Sequence, residues 1–138
     1  MARRTGWWLL ALVLFSAGVR FWRLGDPPKQ VFDEIYYART AHEYLTGQPI
    51  YEWTHPPLSK LLVAVGIRAA GFDPWGWRVV PAVFGTLMIP ALYVFGTLAT
   101  GRPSSGLAVA ALGTLDSIWV VESRIAKPEV FLATFSVL

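Results

Sequence analysis

The chain has 138 residues, of which 54% are hydrophobic and 15% charged, with a formal net charge of +3. A mean hydropathy of +0.46 is too high for an ordinary soluble domain of that size, so a bilayer is the expected solvent. The basic residues are scattered among apolar runs and form no stripe, which speaks against nucleic acid as a partner. The absence of cysteine excludes disulfides, thiolate metal sites and cysteine nucleophiles.

In chain order, Met1-Ala2-Arg3-Arg4 precedes an apolar run that starts at Trp7. No small-x-small cleavage site follows it. Arg20, Phe21, Trp22 and Arg23 come instead, an aromatic and basic cluster of the kind that anchors a helix end at a membrane interface. Residues 1–6 are therefore read as a cytoplasmic tail and 7–22 as the first transmembrane helix, roughly 24 Å long at 1.5 Å per residue.

Residues 23–78 carry most of the charges together with Pro27, Pro28, Pro49, Pro56, Pro57 and Pro74, which places them outside the hydrocarbon as an external loop. Inside that loop Ile35, Ala38, His42 and Leu45 recur at helical spacing, with Gly47 and Pro49 as a stop. Pro57 suits a first helical position and predicts a second short helix through Leu61 and Val65 to Gly71. Both helices are interfacial, because about fourteen residues cannot span.

Residues 79–100 form the second transmembrane helix, with Pro81 and Pro90 tolerated as membrane helices tolerate them. A cytoplasmic turn at 101–105 leads to a third transmembrane helix at 106–121, interrupted only by Asp116 and small hydroxyls. Residues 122–129 are an external connection, and 130–138 start a further transmembrane helix that the chain end truncates, so the sequence reads as a fragment. Crossing parity brings the 23–78 loop and the 122–129 connection to one external face. The positive-inside count runs against this orientation, since the large loop holds more Lys and Arg than the tail and the turn combined.

Polar clusters beside lipid are costly unless they do something, and the adjacent carboxylates of Asp33 and Glu34 are the most prominent. One reading makes Asp33 a helix cap with Glu34 in the first turn. The other makes one carboxylate a general base for an attacking hydroxyl and the other its neighbour in charge balance. Arg20 and Arg124 lie at helix ends where arginines anchor by snorkelling; as a pair facing one cleft they would suit a lipid phosphate. His42 and His55 fit no metal-ligand spacing, so no metal is expected. His55, before two prolines, and Lys60, one turn into its helix, are assigned orienting roles toward substrate.

Phe32-Asp33-Glu34, His55-Pro56-Pro57-Leu58-Ser59-Lys60, Gly76-Trp77-Arg78-Val79-Val80-Pro81-Ala82 and Ser123-Arg124-Ile125-Ala126, in that order and at comparable intervals, resemble the N-terminal part of the protein O-mannosyltransferases. The similarity covers nearly the whole chain. It implies an all-α, multi-pass membrane protein with a helical bundle of the GT-C type. It also implies a polyprenyl-phosphate sugar as donor, Ser or Thr of a secreted protein as acceptor, no cofactor, and an active site on the external face of a bacterial cytoplasmic membrane. The resemblance makes Asp33 the base with Glu34 as its essential neighbour, and ties Arg20 and Arg124 to the active site. Lys127-Pro128-Glu129 departs from the family pattern, which has an apolar residue and an aspartate there, so the resemblance does not extend to Glu129. The alternatives are a related transferase that modifies lipid A or another envelope glycan, or a noncatalytic membrane subunit or transporter fragment in which Asp33 only caps a helix.

Overall fold

A computed structural model describes residues 2–138, with the side chains of Ala2 and Arg3 left aside. The described residues form seven helices: α1 (Ala2–Phe21), α2 (Glu34–Thr46), α3 (Pro57–Ala70), α4 (Pro74–Thr100), α5 (Pro103–Leu115), α6 (Ser117–Glu122) and α7 (Glu129–Val137). Residues 2–6 of the expected tail continue α1, and Met1 lies outside the described residues.

The two loop helices start and stop for local reasons. Gly47 takes φ 67°, the left-handed conformation that a glycine adopts at little cost, and its N–H bonds back to Glu43 O to end α2. Pro57 occupies the first turn of α3, where its missing N–H costs nothing. Asp73 caps α4 by accepting from Gly76 N at 2.9 Å, so that helix begins at Pro74, five residues before the expected 79. Pro81 and Pro90 stay within it. Among the described residues α4 is the one helix long and apolar enough to cross a membrane by length and composition.

The expected single helix at 106–121 is two helices. Asp116 has extended backbone (φ −66°, ψ 109°), and its carboxylate caps α6 by accepting from Trp119 N at 3.0 Å. The short polar side chain competes with the helical backbone and wins. Neither α5 nor α6 is long enough to span.

α4 is the central helix, packed by α1, α3, α5 and α7, with α2 on the far side of α3. The core that supports the loop is small and apolar: Ala38 and Ala41 of α2, Val63, Ala64 and Ile67 of α3, Trp77 of α4, and Ala126, Val130 and Phe131. α3 and α4 meet almost backbone to backbone. A Cβ on Gly76 would collide with the Gly71 carbonyl and lie 3.4 Å from the Ile67 Cα, and one on Gly66 would strike Gly76 O. Because backbone cannot swing aside, Gly76→Ala is expected to destabilise by about 1–3 kcal/mol, read as a lower Tm of the complete protein in detergent. An unchanged Tm would mean that the helices can part at no cost.

Candidate active site

Glu34 and Asp33, adjacent in sequence, have opposite environments. Glu34 is fully buried, whereas Asp33 is exposed. The Glu34 carboxylate is held by Arg78, whose Nε donates to Oε1 and Nη2 to Oε2, both at 2.8 Å. The remaining acceptor capacity takes Ala126 N at 3.0 Å and Val31 N at 3.0 Å. Arg78 spends its other donors on the carbonyls of Leu24, Pro27 and Lys29 at 3.1, 3.0 and 2.9 Å. One planar guanidinium thus ties the start of the loop and the N-terminus of α2 to α4 by the fork geometry lysine lacks, and the Glu34 it holds tethers the segment before α7. Glu34 is a positioning residue: every lone pair facing the interior is spoken for, and none faces a cleft.

The Asp33 carboxylate makes no hydrogen bond or ion pair with the described residues, and it does not cap α2 by its side chain, although the residue occupies the cap position. The helix-cap reading therefore fails. Asp33 lines an open cleft of about 270 Å³ with Tyr36, Tyr37, Glu52, Thr54 and His55. An unengaged carboxylate in a cleft, fixed by a fully bonded neighbour, is the geometry a general base needs.

The opposite wall is a clasp. Lys60 is fully buried. Its ammonium is ion-paired with the Glu52 carboxylate and donates to Glu52 O at 2.8 Å and His55 O at 3.1 Å. Glu52 also accepts from Thr54 N at 2.8 Å, His55 N at 3.2 Å and the Thr54 hydroxyl. The His55 ring Nδ1 lies 3.1 Å from Glu52 Oε1. Since an ionised carboxylate only accepts, this places a ring proton on Nδ1 and leaves Nε2 outside the clasp. The sequence assigned Lys60 an orienting role toward substrate. In the structure it is buried, with its ammonium on the Glu52 carboxylate and two loop carbonyls. Further back, Glu43 accepts from Tyr51 N at 2.7 Å and Arg39 Nε at 2.9 Å, and the Arg39 guanidinium sits 3.9 Å over the Tyr51 ring.

Electrostatics follow from this packing. Burial pushes the Glu52 pKa up, but the hydrogen bonds from Lys60, Thr54 and His55 outweigh it and hold the carboxyl far below the usual range. A depressed carboxylate pKa contributes stability that is present above the unfolded value, near 4.5, and is lost as pH falls below it. Hydrogen exchange of residues 48–56 is therefore expected to be slow at neutral pH and to accelerate below about pH 4, and in Lys60→Met at every pH. Exchange in the wild type that is flat with pH, after correction for intrinsic rates, would contradict the clasp.

Burial, with help from Glu52, Glu129 and Asp33, pushes the Tyr37 phenol up to about 12. For Lys127, burial opposes the charge. The hydrogen bond to Glu122 at 2.8 Å and the nearby carboxylates of Glu129 and Asp33 prevail and raise the ammonium above the ordinary lysine value.

The two arginines separate. Arg20 is fully enclosed between α1, α4 and the end of α6, where Nε donates to Ser123 Oγ at 2.9 Å and Nη1 to Ser16 Oγ at 2.6 Å. It does not reach the Asp33 cleft. Arg124 is half-buried and closes the C-terminal end of α1 by donating to Val19 O, Trp22 O and Arg23 O at 3.3, 2.8 and 3.3 Å. It heads an open hollow of about 450 Å³ lined by Phe15, Gly18, Val19 and Trp22. The side chains that sequence reasoning missed are Arg78, Glu52 and Tyr37.

A family model described as dolichyl-phosphate-mannose-protein mannosyltransferase matches residues 10–77. Over 98% of its length the chain is 32% identical to a polyprenol-phosphate-mannose–protein mannosyltransferase of Mycolicibacterium smegmatis, of which it covers 28%. It is 33% identical to protein O-mannosyltransferase 1 of Drosophila melanogaster over 91% of the chain and 16% of that protein. It is 31% identical to the polyprenol-phosphate-mannose–protein mannosyltransferase of Corynebacterium glutamicum over 90% of the chain and 27% of that protein. The chain thus spans less than a third of the length of these relatives. No solved structure matches it.

Proposed function

Because the chain belongs to the dolichyl-phosphate-mannose-protein mannosyltransferase family, we propose that it forms the catalytic loop and neighbouring helices of a membrane enzyme that transfers mannose from a polyprenyl-phosphate donor to Ser or Thr hydroxyls of secreted proteins. The observation that carries this reading is the contrast between a saturated, buried Glu34 and its neighbour Asp33, unengaged in the cleft wall.

On this reading the acceptor O–H gives its proton to the Asp33 carboxylate. Its oxygen attacks the anomeric carbon, and the bond from that carbon to the phosphate oxygen breaks with its electron pair. Polyprenyl phosphate leaves, with inversion at the sugar. The Arg124 guanidinium, half-buried above an apolar hollow, stabilises charge as it develops on the departing phosphate. Arg20 acts behind it by holding Ser123, the residue before Arg124. The reaction calls on no metal or organic cofactor. The protein crosses the membrane several times, with the 23–78 loop and the 122–129 connection on the external face of a bacterial cytoplasmic membrane.

The test is transfer of labelled mannose from polyprenyl phosphate to a Ser/Thr peptide by the complete protein in vesicles. Label is expected on the Ser/Thr peptide and absent from its Ala counterpart. Label that appears only on lipid A or another envelope glycan would replace the acceptor in this reading, and no transfer to any acceptor would end it.

A further inference from the structure

Tyr37 lines the cleft with a hydroxyl whose chemistry is left unused. Its side chain is 2% exposed, and its hydroxyl has no hydrogen-bond partner among the described residues. A buried hydroxyl without a partner is costly. The protein keeps one at the wall that Asp33 and His55 share. The Tyr37 and His55 rings are 5.7 Å apart. The clasp fixes His55 with Nδ1 turned to Glu52, so Nε2 is left without a partner among the described residues. The cleft therefore holds in its wall a phenolic hydroxyl and an imidazole nitrogen, both unpartnered, on neighbouring rings. Its 270 Å³ equals about nine water volumes, the size class of a single sugar ring.

We propose that Tyr37 Oη and His55 Nε2 bind two neighbouring hydroxyls of the sugar being transferred, Tyr37 donating to one and His55 hydrogen-bonding the other, and so select the donor sugar by its hydroxyl pattern. The proposal rests on the reading of the cleft as a sugar-transfer site. Selectivity follows because a site built to hydrogen-bond a hydroxyl rejects an analogue that lacks it, its own buried groups being left unpaired.

The experiment compares wild type with Tyr37→Phe and His55→Ala in the complete protein, using polyprenyl-phosphate mannose and its monodeoxy analogues. Tyr37→Phe removes a hydroxyl that bonds to nothing in the chain, so its Tm is expected to be unchanged or higher, while kcat/KM for mannose falls about 10- to 100-fold. One deoxy analogue should lose at least tenfold with wild type and lose nothing further with Tyr37→Phe. A different deoxy position should behave that way with His55→Ala. A purely structural tyrosine would lower Tm and slow every donor alike. Undiminished kcat/KM in Tyr37→Phe, or deoxy penalties that multiply with the substitution, would overturn the proposal while leaving sugar transfer intact. Wild type inactive with every polyprenyl-phosphate sugar would instead remove the reading beneath it.

Discussion

Asp33→Asn is expected to lower mannose transfer by about 10²–10⁴-fold while leaving the Tm where it was. The first half follows from removing the proton acceptor. The second follows from the structure: the Asp33 carboxylate bonds to no described residue and caps nothing, so the isosteric amide breaks no contact. This separation of activity from stability is the signature of a group kept for chemistry. If Asp33 were a structural cap, the opposite pattern would appear, with about 1 kcal/mol lost in stability and transfer little changed. Activity assays and thermal melts on the same membrane preparation distinguish the two.

Glu34→Ala and Arg78→Met should instead lose activity and stability together. Each strands a fully buried charge whose partner sat at 2.8 Å, and breaking such a pair by removing one member costs about 3–5 kcal/mol. Arg78→Met also frees the carbonyls of Leu24, Pro27 and Lys29, so the loop that carries Asp33 loses its anchor. Both variants are expected to lose transfer together with thermal stability, and protease sensitivity should appear in residues 24–34 first. Arg78→Lys keeps the charge but cannot make the fork, and should recover only part of the loss. Full stability in Glu34→Ala would show that the pair is dispensable.

How much of this was legible in the sequence depends on range. The helix from Pro57 ends at Ala70 with Gly71 as cap, as local punctuation predicts, and the helix closed by Gly47 obeys the same logic. Asp116 was noticed as an interruption in an apolar run, but its power to end one helix and cap the next depends on backbone geometry that composition does not carry. The Asp33-Glu34 pair stood out because charge is scarce. The division of labour between them did not, because it is decided by Arg78, forty-four positions away, inside a motif noted only as part of a resemblance. Glu52 and Tyr37 gave no signal at all. A lone glutamate in a loop reads as solvated, and a tyrosine on a helix reads as packing, until folding brings Lys60 behind the one and leaves the other's hydroxyl unbonded. Arg20 is the reverse case. Its position at a helix end reads as an anchor or a phosphate ligand, yet Ser16 and Ser123 enclose it.

The most direct measurement is a structure of the complete protein with a nonreactive polyprenyl-phosphate mannose analogue and a Ser/Thr peptide. The account predicts a carboxylate oxygen of Asp33 within about 2.6–3.2 Å of the acceptor hydroxyl, with Glu34 still locked on Arg78. An acceptor hydroxyl seated against a different base, with the Asp33 side chain facing lipid, would contradict it.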